Sequence, residues 1–212
     1  MVRSGPVLLA FAFCLLVVTP SLLKAESVEL KRRGKQVEVL IGGKPFTTYS
    51  FDPKIPKAFM YPLRTAQGTV ITRGFPMRKD IPGESTDHPH HRALYFAHGD
   101  VNGVDFWSEA EFEEKAPVQV AGQTYQASEH LPHGRMVSTK LEEVKSGADS
   151  GALRARFKLA GPDGKAIAEE TQAYTFRGEG AARSIDCEFS IHALQTPVKL
   201  GGVGPGDAAY NS

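Results

Sequence analysis

The sequence predicts an all-β protein, a large antiparallel β-sandwich, and three observations carry that prediction. Apolar residues recur at every second position from Val28 onward, the pattern of strands buried on one face. The 212 residues include 21 Gly and 14 Pro, enough for many tight turns. No long stretch has the helical period. The one helix expected is short, Ser108 to Glu114, with Ser108 and Glu111 spaced as a capping box.

The elements follow in order. Val28 and Leu30 lead into the polar turn Arg32-Arg33-Gly34-Lys35, and Val37, Val39 and Ile41 answer them as a hairpin. A third strand runs through Phe46 and Tyr49 after Gly42-Gly43. Tyr61-Pro62-Leu63 and Thr69-Val70-Ile71 flank a turn at Gln67-Gly68, and Leu94–Phe96 and Val104–Trp107 flank Asn102-Gly103. Leu153, Ala155, Phe157 and Leu159 alternate with basic residues. Ile185, Cys187, Phe189, Ile191 and Ala193 alternate with Asp186, Glu188, Ser190 and His192. That parity makes Cys187 a core residue and sets His192 on the polar face, where it can reach a cleft between sheets. Pro162-Asp163-Gly164 and Gly178-Glu179-Gly180 supply turns between strands.

Residues 1–25 read as a secretory signal peptide: Arg3, an apolar run of 12 residues from Val7 to Val18, then Thr19-Pro20-Ser21 and a small residue at Ala25. An uncleaved anchor is the alternative, although the run is short for a span. Cleavage leaves an exported protein with a charge of −1 and Cys187 unpartnered, so a single domain over 26–200 has to rely on packing. The balance of 25 basic against 24 acidic residues removes the case for nucleic acid, which needs a basic face to displace phosphate counterions. Lys31-Arg32-Arg33 with Lys35 reads as a solvated hairpin tip, and Glu109, Glu111, Glu113 and Glu114 as a solvent-facing acidic segment. Residues 201–212 form an irregular Gly-rich tail.

Chemistry concentrates between Arg73 and Trp107. Four of the seven histidines, His88, His90, His91 and His98, fall within eleven positions, in and after Asp87-His88-Pro89-His90-His91-Arg92. Pro89 favours an extended His88, so His88 and His90 project to one side and His91 to the other. An unbroken strand from 90 to 98 would bring His98 onto the face of His90. Two uses fit. Acid–base chemistry takes His88, His90 and His91 as proton donors and acceptors and Arg92 to hold an oxygen substituent, with Arg73, Arg78 and Trp107 binding a polyhydroxylated substrate. Metal chemistry takes His88, His90 and His98 as ligands to Zn or Cu, with Asp87 and Glu84 near enough to orient a ring. Ser85 has no Gly-x-Ser-x-Gly elbow around it, no Cys-x-x-Cys occurs, and Gly201-Gly202-Val203-Gly204 lacks the Lys of a phosphate loop.

Tyr61-Pro-Leu-Arg-Thr, Gly74-Phe-Pro-Met-Arg, Asp87-His-Pro-His-His-Arg and His98-Gly-Asp-Val-Asn-Gly-Val-Asp-Phe-Trp107 together resemble the exported bacterial family labelled PmoA-like, or methane oxygenase PmoA. The resemblance runs from Val28 to Leu200. It implies a secreted β-sandwich, by analogy like the supersandwich of aldose epimerases, and further strands beyond Leu200, without which a sheet edge stays unpaired. Three functions stay open: action on a carbohydrate or polyol in a cleft of the sandwich, metal binding with an oxidative role as the family label suggests, and carbohydrate binding without turnover.

Overall fold

A computed structural model describes residues 24–109, 118–120, 123–125 and 131–201. Among the described residues there is no helix, and every strand pairing in the sheets is antiparallel. The all-β expectation holds. The first sheet takes its strands in chain order: β1 (Val28–Arg33), β2 (Gln36–Ile41), β3 (Lys44–Ser50), β4 (Phe59–Met60) and β5 (Leu94–Tyr95). β6 (Asp100–Val101) lies outside it, and β7 (Val118–Val120) and β8 (Gln123–Tyr125) pair with each other. The second sheet holds β9 (Arg135–Lys145), β10 (Gly151–Ala160), β11 (Ala166–Glu179) and β12 (Ala182–Ala193), in the order β12-β11-β10-β9. β13 (Leu200–Gly201) returns to pair with β6.

The two sheets pack through the alternating residues that predicted them. Val28, Val37, Val39 and Ile41 pack with Leu153, Ala155, Phe157, Ala168 and Phe176 in one buried apolar core. Removing each large side chain from water stabilises the fold by roughly 1.5–3 kcal/mol. Aromatic contacts cross the layer, with ring centroids of Phe46 and Phe176 at 6.5 Å and of Tyr49 and Tyr174 at 5.6 Å. The layers approach closely at Gly178, where an added Cβ would lie 2.2 Å from Ile41 Cγ2.

Some expected elements differ. Thr69–Ile71 and Val104–Trp107 form no strand and contribute only isolated bridges, Arg64 with Val70 in the first and Val101 with Val104 and Asp105 with His133 in the second. The first lies in the connection between β4 and β5 and pairs within a local turn, whereas the second follows β6 and its Asp105 exchanges backbone hydrogen bonds with Pro132 and Gly134. At Asn102-Gly103 both φ angles are positive (54° and 79°), and Val101 and Val104 exchange both backbone hydrogen bonds. That is the tight reversal the dipeptide predicts. The expected helix at Ser108–Glu114 falls mostly outside the described residues. Ser108 and Glu109 are not helical, and the Ser108 N–H donates instead to Asp105 Oδ1 at 3.1 Å. The leader and the Gly-rich tail also fall outside, apart from Lys24, Ala25 and Gly201; Ala25 forms a bridge with Glu179.

Cys187 is exposed, against expectation. Its parity was read correctly, since it sits opposite Tyr174, which is buried in the core. β12 is the edge strand of its sheet, however, and its core-facing Ile185, Phe189 and Ile191 are only partly buried. His192 is likewise exposed on β12.

The register of the first sheet decides where the chemistry lies. Val37, Tyr49, Met60 and Leu94 form one cross-strand row that faces the core. The adjacent row, Gln36, Ser50, Phe59 and Tyr95, therefore faces away from the second sheet. The connection between β4 and β5 folds back over that outer face, leaving Ser50 and Phe59 buried.

Candidate functional site

The His-rich segment is a turn. The His91 N–H donates to the His88 carbonyl at 2.9 Å, and His88 has φ +45°. Pro89 does not hold His88 extended, because the Arg73 guanidinium fixes the corner with two hydrogen bonds. Arg73 Nη2 donates to the His88 carbonyl at 2.8 Å and Arg73 Nη1 to Asp87 Oδ1 at 2.7 Å. A non-glycine residue in the left-handed region costs about 1–3 kcal/mol, and such outliers gather at functional sites. The turn brings all three imidazoles together, with centroid separations of 5.0 Å for His88 and His91, 4.5 Å for His90 and His91, and 5.8 Å for His88 and His90. On an extended chain His91 would have pointed away.

Two aromatic rings back them. Trp107 lies 6.1 Å from His90, 5.7 Å from His91 and 5.3 Å from Tyr95. Since Tyr95 ends the outward-facing row, the cluster sits over the outer face of the first sheet. The cleft between sheets, where the sequence placed it, is filled by the core.

The three imidazoles differ electrostatically. Burial pushes His90 down to about 4, helped by the neighbouring His91, Lys57, His88 and Arg73. His91 is lowered by burial, then by His88, Arg73 and Lys57. Both rings are therefore neutral at pH 7. The exposed His88 has a carboxylate partner, with Nδ1 3.1 Å from Asp87 Oδ2. Asp87 is drawn down to about 2 by its hydrogen bonds from Ser85, His88 and Arg73. With Nδ1–H directed at Asp87, Nε2 is the ring nitrogen left facing a ligand, the geometry of an oriented general base. Ser85 serves Asp87, donating to Oδ1 at 2.6 Å.

Under the cluster lies an ionic group that sequence reasoning missed. The side chains of Lys57 and Glu109 are fully buried and 3.5 Å apart. Arg92 holds Glu109 in a fork, Nε to Oε1 at 2.7 Å and Nη2 to Oε2 at 2.5 Å. Lys57 Nζ also donates to the His90 carbonyl at 3.1 Å and to the Trp107 carbonyl, and lies 4.6 Å from the centre of the Tyr95 ring. Burial lowers Lys57 to about 8, opposed by Glu109. One buried lysine thus ties together the His turn and the Trp107 segment. Asp105 fixes that segment further, accepting the Trp107 N–H at 2.6 Å. Nothing in the local sequence marks Lys57. Opening a run of carboxylates makes Glu109 look solvent-facing in the sequence, yet it is the only one of them among the described residues and it is buried.

Other assignments change as well. Arg92 does not reach out to a substrate oxygen as expected; its guanidinium is spent on Glu109 and packs over Phe59. Arg78 pairs with Asp80 on an exposed loop and does not join the imidazoles. Glu84 accepts the N–H groups of Gly74 and Phe75 and so shapes that loop. His98 is not among the rings in contact, because β5 ends at Tyr95 and the strand does not continue to 98. Among the described residues no three His, Cys, Asp or Glu side chains are grouped to hold a metal ion, so His88, His90 and His98 are not a ligand set. His133 lies 3.8 Å from Asp105, away from the imidazole turn in the chain; His130 is outside the described residues.

Fold and site together define an all-β antiparallel protein carrying an imidazole and aromatic cluster on the outer face of one sheet. The chain belongs to DUF6807, a family of unknown function, whose model matches residues 36–208. This corrects the resemblance to PmoA-like proteins: the motifs that suggested it fall inside the DUF6807 match, and nothing indicates the other family. The expectation of further strands after Leu200 loses its basis with it. No curated protein and no solved structure matches the chain, so the analogy to the aldose-epimerase supersandwich gains no support.

Proposed function

We propose that this exported protein acts on a carbohydrate or polyol at the surface formed by His88, His90, His91 and Trp107. The observation that carries the reading is the Asp87-held His88 imidazole beside two neutral imidazoles and an aromatic ring. A sugar offers an apolar C–H face and a rim of hydroxyls. The Trp107 ring suits the first, and neutral imidazoles, each one donor and one acceptor, suit the second. His88 Nε2 is the proton acceptor toward a ligand hydroxyl, and Arg73 and Ser85 act through Asp87 as positioning residues. Export rests on the apolar run Val7–Val18.

Trp107 is the only tryptophan, so its fluorescence reports on this surface alone. Titration with a panel of neutral and acidic sugars and polyols is expected to shift or quench it, and turnover of the responding sugar to follow. His88→Ala is expected to lower that turnover by about 10²–10⁴-fold with affinity retained. A silent panel would overturn the reading. Retained turnover in His88→Ala would remove His88 as the base, and binding without turnover in the parent would leave a carbohydrate-binding surface.

A further inference from the structure

Beside the imidazole cluster, the outer face of the first sheet holds a depression of about 620 Å³, within the range of small-molecule sites. Its floor is the outward row, with Gln36, Ser50 and Phe59 in its lining. The same row continues to Tyr95, whose ring touches His91 and Trp107. Four strands at about 4.8 Å spacing make this path roughly 14 Å long. One end is the imidazole cluster. The other is the basic tip of the β1–β2 hairpin, where Arg33 and Lys35 enter the lining.

We propose that the depression binds the carboxylate-bearing part of an acidic oligosaccharide whose reacting sugar lies at the His88 cluster. This rests on the reading above and narrows its substrate class. Two cations of the hairpin tip, Arg33 and Lys35, have no close ion-pair partner among the described residues. Arg33 has a loose 3.6 Å contact with Glu38 and is largely exposed, and Lys35 lines the depression from the turn itself. Arg92 closes the near end. Asp52 is the one carboxylate of the lining, and its Oδ1 accepts the Lys54 N–H at 3.0 Å. The polar groups between, from Gln36, Thr48 and Ser50, are suited to hydroxyls, and Phe59 and Tyr61 supply apolar surface. Such a lining discriminates by charge at one end and by hydroxyl pattern along its floor.

The test compares trigalacturonate with its methyl ester, a ligand of the same shape without the charge, by calorimetry and Trp107 fluorescence. The acid is expected to bind at least tenfold more tightly than the ester at low ionic strength. The Arg33→Glu/Lys35→Glu variant is expected to abolish that preference and leave the affinity for the ester unchanged. Both positions are exposed, one at the end of β1 and one in the turn after it, and circular dichroism checks the fold. Equal binding of acid and ester would overturn the inference and leave the sugar reading standing, as would a preference that survives in the variant. A silent result with both ligands, and with the wider sugar panel, would defeat the sugar reading itself.

Discussion

At the scale of single residues, Glu109 decides whether the site exists. It is the carboxylate between two buried cations, Lys57 and Arg92, and through Lys57 it holds the carbonyls of His90 and Trp107 in place. Removing one partner of a buried ionic group leaves uncompensated charge, which costs about 3–5 kcal/mol. Glu109→Gln is expected to lower unfolding stability by that amount in urea denaturation followed by circular dichroism. A loss below about 1 kcal/mol would mean the group is not the clamp described. Sequence reading had no access to this. A glutamate in an acidic run and a lysine beside alanine look like surface residues, and only the chain crossing between positions 57, 92 and 109 makes them a set. The three imidazoles were legible as candidates by their density alone. Their geometry was not, because Arg73, fifteen positions upstream of His88, overrides the local preference that Pro89 imposes.

At the scale of elements, β11 carries a buried carboxyl far from the imidazole turn in the chain. Glu170 is almost fully buried, and its Oε1 accepts a hydrogen bond from Gln172 at 2.6 Å, while the Tyr49 and Tyr174 hydroxyls both donate to Gln172 Oε1 at 2.9 Å. Burial pushes Glu170 up to about 7, against an ordinary 4.5. The folded state therefore binds this proton more tightly than the unfolded state. Between pH 4.5 and 7 the native protein holds more protons, and stability falls as pH rises. The full effect of such a shift is about 3 kcal/mol. Glu170→Gln keeps an acceptor for Gln172 and has nothing to ionise. It is expected to raise the urea midpoint at pH 8 and leave it nearly unchanged at pH 5. An equal effect at both pH values would show that Glu170 does not titrate in this range. The difference between the two proteins is the quantity to read, because the depressed His90 contributes a slope of opposite sign between about 4 and its ordinary 6.5.

At the scale of the whole molecule, the two sheets cover each other unequally. The inner strands β10 and β11 are buried in the alternating pattern, whereas β12 lies at the edge of its sheet and its core-facing residues are only partly buried. Cys187 is thus an exposed thiol on a strand that reads as core. Native protein is expected to take up one maleimide at Cys187 without loss of its β signal in circular dichroism, and Cys187→Ser to take up none at that position. The reaction should be slow at neutral pH, since partial burial and Asp186 push the thiol up. Labelling that requires denaturant would show that β12 is covered.

The sequence by itself determined the all-β class, the paired hairpin at the front, the tight turn at Asn102-Gly103 and the strands around Leu153–Leu159 and Ile185–Ala193. These depend on period-two alternation and local turn chemistry, both properties of neighbouring residues. It also singled out His88, His90, His91 and Trp107 by residue type. Tertiary structure alone decided that these lie on the outer face of a sheet, that His98 and Arg78 stand apart from them, and that Arg92 is committed to Glu109. The reason is the register. One residue's shift in strand pairing moves a row from the core to the outside, and register is set by contacts between segments far apart in the chain.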